Sequence, residues 1–269
     1  MNIIPITSPD AKELEIYTST NETQLKHYYE PNGGLFISES PNVTKLALNA
    51  GYEPVSMLLS PKDIEGEARE VVAGMGDKPI YTIEEDIIDL IDGFHLIRGA
   101  QCLMMRKQLP SIDEVVKNAR RIAVIDDVQN PTNVGAIIRC AAALGIDAVI
   151  VTASCSDPLY RRASRVSMGT VFQIPWTMLD KKSSESYIDI LSQYGFKTAA
   201  MALDDNSLSI DDPFLRDVDK LALVLGSEGY GLPHDTIKKC AYTVKIPMYH
   251  GVDSLNVAAA AAVAFWQLR

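Results

Sequence analysis

Short apolar runs rich in β-branched and aromatic residues alternate along this chain with stretches of helical spacing, and glycines mark many of the joins. Residues 34–38, Gly-Leu-Phe-Ile-Ser, follow an Asn-Gly turn signal and predict a strand; the spacing then predicts a helix over Pro41–Ala50 that stops at Gly51. Val55–Leu59 reads as a strand and Pro61–Gly74 as a helix. Ile80–Tyr81 reads as a strand entering a Glu-rich helix over Glu84–Ile91, and Leu103–Met105 as a closing strand. Together these make a small α/β layer domain.

The run Arg121–Asp126 is nearly continuous in apolar residues rather than alternating, which is the pattern of a strand covered on both faces and implies a parallel sheet. A helix over Asn133–Leu144 ends at Gly145. Strand Ala148–Val151 follows, then a helix over Leu159–Met168 that leads into the apolar run Val171–Ile174. Helix Ser186–Tyr194, strands Lys197–Ala202, Leu221–Leu225 and Thr243–Ile246, and a terminal helix from Ser254 complete a wound α/β pattern. Pro110 stops whatever precedes it and Ile112–Asn118 reads as a short polar helix or linker, so the expected division is a domain over residues 1–110, a linker over 111–120 and a second domain over 121–269.

Composition narrows the class. With 269 residues, 47% hydrophobic and 22% charged, the chain is long enough to bury a core without disulfide or metal staples. The longest apolar stretch, Val257–Trp266, falls short of the roughly 20 residues that cross a bilayer, and the reading is a cytoplasmic protein without a membrane span. Cys102, Cys140, Cys155 and Cys240 form no C-x-x-C pair and read as buried small residues. His234 and His250 have no second ligand at metal-binding spacing, so no metal is expected. The net charge of −10 is uneven: residues 1–110 hold 9 basic and 17 acidic side chains, whereas residues 111–269 hold 16 and 18.

Three loops carry the candidate chemistry. In Asn130–Arg139, after a buried strand, polar side chains face the crevice outside the strand ends where ligands of open parallel sheets collect. Gly135 and Arg139 share a helix face there, beside Asn133; equally, Asn133 caps the helix and Arg139 is solvated. In Leu221–Pro233, three glycines let the backbone approach a ligand, and Glu228 sits inside the turn, either for chemistry or as a first-turn carboxylate. The glycine order matches neither the dinucleotide fingerprint nor the P-loop. In Ile246–Ala258 an irregular loop enters an apolar helix; Ser254 is a natural N-cap, and Asn256 must find partners if buried.

Taken in order, the three segments resemble the signature motifs of the SpoU (TrmH-like) branch of the SPOUT RNA methyltransferases, with Asn133, Arg139, Glu228, Ser254 and Asn256 at matching positions. The resemblance spans residues 121–269, and Arg165–Ile174 looks like the family's intermediate Ser-x-Gly segment. Residues 34–37 and 93–99 are similar to a substrate-binding extension of an rRNA-directed subgroup. The resemblance implies a C-terminal α/β domain threaded into a trefoil knot, an exception to the rule against threaded loops. It further implies S-adenosylmethionine as cofactor, held by Leu225, Gly226, Glu228, Gly229, Ile246, Met248, Leu255 and Asn256, and a homodimer that buries the face of the helix Leu255–Leu268.

The implied reaction is methyl transfer to a ribose 2′-hydroxyl of RNA, with rRNA favoured over tRNA by the front-domain likeness. In such a reaction positioning supplies up to roughly 7 to 11 kcal/mol of the barrier reduction. A guanidinium is effectively never deprotonated in proteins, so Arg139 reads as a phosphate binder that stabilises alkoxide charge rather than as the base, with solvent or a phosphate oxygen taking the proton. Asn133 would orient the ribose or Arg139, Glu228 would fix the loops, and Ser254 with Asn256 would hold them in register. The basic clusters Arg161-Arg162-Arg165, Lys181-Lys182 and Lys238-Lys239 are either solvated faces or a path for RNA. Two other readings are a non-catalytic RNA- or ribosome-binding relative and a nucleotide-binding oxidoreductase; the filled motif positions oppose the first and the missing fingerprint the second.

Overall fold

In the computed structural model, which describes residues 1–94, 96, 99–179, 186–204, 206–227 and 229–269, the chain divides into two compact units. One is Met1–Gln108 with Leu159–Gln173, and the other is Leu109–Pro158 with Ile174–Arg269.

The first unit is built on strands β1 (Asn2–Ile6), β2 (Leu35–Glu39), β3 (Pro54–Leu59), β4 (Pro79–Ile83) and β5 (Ala100–Met105), in the order β1-β4-β3-β5-β2. β1, β4 and β3 run parallel, and β5 is antiparallel to both of its neighbours. Side chains of one face, among them Leu35, Ile37, Leu58 and Leu103, pack with Tyr17 and Leu25 into one core. Sequence pattern did not foresee β1: it is an edge strand in which only Ile6 is buried, so no alternation marks it. The helix expected over Pro61–Gly74 is instead a 3-10 turn, Pro61–Asp63, and a short helix, Arg69–Ala73, with Gly66 in the gap.

The second unit carries seven strands, β6 (Arg121–Ile125), β7 (Ala148–Val151), β8 (Trp176–Met178), β9 (Lys197–Met201), β10 (Leu208–Ser209), β11 (Leu221–Leu225) and β12 (Tyr242–Lys245). They lie in the order β10-β12-β9-β11-β6-β7-β8, and every pairing is parallel. β7 and β11 are buried along their whole length, as the unbroken apolar runs require. One face packs on Val115, Val116, Leu191 and Phe196; on the other the helix Pro131–Ala143 packs against the terminal helix Val257–Leu268. Arg121 and Arg216 donate to the carbonyls of Leu268 and Gln267, each at 2.9 Å, closing the last turn of the terminal helix. Chain order reverses at β6, since β7 and β8 extend one way and β11, β9 and β12 the other, and ligands of such sheets bind outside the carboxyl ends at that reversal.

Two expectations about organisation change. The short helix read within the expected linker is present as Ile112–Val116, opened by a Ser111–Glu114 capping box, but it is no polar connector: Val115 and Val116 lie in the core of the second unit. The expected catalytic span of 121–269 is interrupted, because Leu159–Gln173 is built into the first unit. There the Arg161 guanidinium donates to the carbonyls of Tyr17 (2.9 Å) and Thr20 (3.1 Å) and pairs with Glu22, and Arg165 pairs with Glu39, which is 7% exposed. A Cβ on Gly169 would come within 2.7 Å of Leu46, and the Phe172 ring packs 5.1 Å from Tyr52. The apolar run after this helix begins in a 3-10 turn, Thr170–Phe172. Arg161 and Arg165 are thus held in structural ion pairs and do not form a solvated basic face.

Removing one partner of a buried ion pair strands the other charge, at a cost of about 3 kcal/mol or more. Arg165→Ala should lower the unfolding free energy of the full chain by about that amount in urea titration. A change below about 0.5 kcal/mol would contradict the docking of this segment.

Candidate active site

At the carboxyl end of β6 the chain turns through Asp126–Asn130 and enters the helix Pro131–Ala143. Asn130 is the cap of this helix, accepting from Thr132 N at 2.9 Å, and Pro131 stands in the first turn, where no N–H is needed. Asn133, one of the residues that could have been the cap, is instead one turn further in and buried at 6% exposure. Gly135 is buried as well, whereas Arg139 stands on the exposed side of the same helix. The Tyr187 hydroxyl donates to Asp126 Oδ2 at 2.8 Å; burial, and then the charge of Asp126, push this phenol well above its ordinary range, so it stays protonated.

β11 leads into the glycine loop. A Cβ on Gly226 would come within 2.6 Å of the Gly231 carbonyl carbon and the Leu232 nitrogen, so only glycine allows the turn to close on itself. Closure is completed by Gly231 N donating to Ser227 O at 3.0 Å, with Gly231 at a φ of +66°. Glu228 lies outside the described residues, as do Lys181 and Lys182.

β12 runs into Ile246-Pro247-Met248 and a turn in which His250 (φ +59°) and Gly251 (φ +72°) are both left-handed. The expected cap of the terminal helix, Ser254, does not cap it. The helix begins at Val257 and is capped by Asn256, whose Oδ1 accepts from Ala258 N at 3.0 Å and from Ala259 N at 3.4 Å. The same amide donates from Nδ2 to Asn133 Oδ1 at 3.2 Å. Serine can cap, but it lacks the second, separate amide donor that reaches the first loop.

The ends of β9, β11 and β12 enclose a cavity of about 350 Å³. Its wall includes the expected Leu225, Gly226, Ile246, Met248, Ser254 and Leu255. It also includes residues that motif reading missed: Met201–Leu203 at the end of β9, Ile237, Lys245, Asp253, Val257 and Ala260. The segment after β9 was open to discovery from the strand-end rule alone. Gly229, Asn256, Asn133 and Arg139 are not part of the wall. Lys245 Nζ donates to the Asp204 carbonyl at 3.2 Å.

The four cysteines are free, and burial raises each thiol above its ordinary value, which keeps them poor nucleophiles at neutral pH. Among the described residues no group of three acidic, histidine or cysteine side chains gathers as a metal site, and no helix is long and apolar enough to cross a membrane.

The Asn133–Asn256 contact yields a direct test. In a double-mutant cycle of Asn133→Ala and Asn256→Ala, urea unfolding should give a coupling energy of about 1 kcal/mol. Strictly additive losses would show that the two amides do not interact.

Known proteins share this fold and sequence. A tRNA/rRNA methyltransferase of Mycobacterium tuberculosis, itself uncharacterized, is 32% identical over 268 residues, covering 99% of this chain and 92% of that protein. The 23S rRNA (guanosine(2553)-2′-O)-methyltransferase RlmP of Bacillus subtilis is 33% identical over 157 residues, 58% of this chain and 61% of the relative. Among solved structures, the AdoMet-bound rRNA methyltransferase of Sinorhizobium meliloti superposes with a TM-score of 0.78 at 21% identity, covering 99% of this chain and 97% of that one. The SpoU methyltransferase AviRb of Streptomyces viridochromogenes, in complex with AdoMet, gives 0.77 at 20% identity and 95% of both chains. The sequence model of the SpoU rRNA Methylase family matches residues 120–266, and the chain belongs to that family.

Proposed function

We propose that this protein transfers the methyl group of S-adenosylmethionine to a ribose 2′-hydroxyl of RNA, with ribosomal RNA as the substrate class, and that the cavity at the ends of β9, β11 and β12 is the donor site. The observation that carries this reading is the meeting of the second and third loops in one cavity while the Asn256 amide ties the first loop to the third. Family membership and the names of the relatives, RlmP above all, support the reaction and the rRNA preference.

The residues present fit the donor. The cavity lies within the size range of small-molecule sites. Leu225, Ile246, Met248 and Leu255 offer apolar surface, and Gly226 keeps the loop backbone free of a side chain. Asp253 and Lys245 put one charge of each sign on the wall, matching the ammonium and carboxylate of an amino-acid tail. When bound, S-adenosylmethionine supplies an electrophilic methyl group on a positively charged sulfur.

Arg139 is exposed on the helix that follows the first loop, where it can reach an RNA phosphate and stabilise negative charge developing on the attacking oxygen. Guanidinium groups do not serve as bases in proteins, so the hydroxyl proton passes to solvent or a phosphate oxygen. Asn133 and Asn256 act through loop registration, Ser254 belongs to the donor wall and Gly229 to the glycine loop, and the family resemblance gives Glu228 the role of fixing the loops. We take the C-terminal segment to be threaded as the family's trefoil knot. A homodimer would bury the outward face of the terminal helix, where Val263 and Trp266 are 42% and 56% exposed, together with Leu255 at 39%.

Labelled methyl transfer to total RNA from a strain lacking the protein, followed by mapping of the modified nucleotide, should place the label on a ribose of rRNA; label on a base or on protein would overturn the reading. Arg139→Lys keeps the charge and loses the planar fork. It should leave affinity for S-adenosylmethionine unchanged and slow transfer by about 100-fold, whereas wild-type turnover would remove Arg139 from the reaction.

A further inference from the structure

Beyond the donor site, we propose that the exposed pair Tyr28–Tyr29 is a stacking platform for an unpaired base of the RNA substrate; this rests on the reading of RNA as substrate. The two rings meet edge to face, with centroids 5.0 Å apart and an interplanar angle of 86°, yet they remain 50% and 43% exposed. Burial does not account for placing two large aromatic side chains there.

Their loop is held at its base. A Cβ on Gly34 would fall 1.8 Å from the Lys26 carbonyl oxygen, so the chain closes on itself between residues 26 and 34 with no room for a side chain at the neck. The helix Glu22–Lys26 below it carries a full capping box between Asn21 and Gln24, and its Leu25 is completely buried. Three backbone hydrogen bonds brace the tip: Tyr28 N to Leu25 O, Glu30 N to His27 O and Asn32 N to Tyr29 O. On the other side Arg106 N donates to Gly34 O at 2.8 Å. A braced loop presenting aromatic faces loses little conformational freedom when a planar ligand arrives.

Charge selects the kind of contact. The first unit, Met1–Gln108 with Leu159–Gln173, carries 12 basic and 17 acidic side chains, and two of the arginines are engaged by Glu22 and Glu39, a poor field for gripping phosphates. Stacking on a base face depends far less on net charge and accepts any unpaired base. The nearby carboxylate of Glu30 is met by His27 at 3.1 Å. This gives an acidic unit a way to hold RNA that does not require a basic surface.

The test is fluorescence anisotropy of the full chain with a labelled single-stranded oligouridylate, with a blunt RNA duplex as control, and methyl transfer to RNA measured in parallel. The wild type should prefer the single strand. Tyr28→Ala and Tyr29→Ala should each weaken that binding about tenfold, and Tyr28→Phe and Tyr29→Phe should restore it, because the stacking face remains. Affinity for S-adenosylmethionine should not move in any of the four. Alanine variants that bind the single strand as the wild type does, or a wild type that fails to bind it or prefers the duplex, would overturn the platform. If the wild type transfers methyl groups while the alanine variants bind normally, the platform falls and the reaction stands. If binding follows the rings but no methyl transfer occurs, the platform stands and the reaction falls.

Discussion

One carboxamide does two jobs in this protein, and the rest of the site is arranged around it. The Asn256 oxygen accepts from the first N–H groups of the terminal helix, while its nitrogen donates to Asn133 across a sequence distance of 123 residues. Aspartate and serine satisfy the first requirement, but neither supplies both a fixed acceptor and a separate fixed donor. Because Asn133 is buried in the first turn of the helix after β6, the bond sets the start of the terminal helix against the start of the other, and the Ser254–Leu255 wall of the cavity enters at a defined place.

That constraint acts on a frame supplied by the parallel sheet. In a parallel sheet the strands end on the same side, so the loops after β9, β11 and β12 emerge together without further design. What the loops add is close approach: Gly226 lets the second loop fold back on Gly231 and Leu232, and the left-handed turn at His250-Gly251 redirects the chain toward the helix cap. The cavity therefore depends mostly on backbone placement, and the charged side chains on its wall, Lys245 and Asp253, are few.

Much of this was legible in the sequence because the relevant signals are local. Unbroken apolar runs marked β6, β7 and β11, and three polar loops after strand ends marked the segments that the cavity and the Asn133–Asn256 bond bring together. Other features depended on partners far along the chain. Asn130 and Asn133 are both adequate caps by residue type, as are Ser254 and Asn256, and only the contact between Asn133 and Asn256 shows which member of each pair is engaged elsewhere. Helix Arg161–Val166 reads locally as a basic surface helix; nothing in its own sequence says that Glu22 and Glu39 neutralise it. By contrast, the segment read as a short polar helix or linker has Ile112, Val115 and Val116 at helical core spacing, a readable signal that one face of it is buried. Edge strand β1 was hidden for the opposite reason, since four of its five residues are exposed.

The central claim is that the cavity at the ends of β9, β11 and β12 holds the methyl donor. Ala260 lines that cavity from the terminal helix, so a larger side chain there takes up part of its volume while leaving the loop residues themselves unchanged. Titration calorimetry with S-adenosylmethionine on the wild type and on Ala260→Leu therefore addresses the claim most directly. The account predicts one site per chain in the wild type and at least about tenfold weaker binding in the variant, the loss of roughly 1.4 kcal/mol. Equal affinity in the two proteins, or no binding by the wild type, would contradict it.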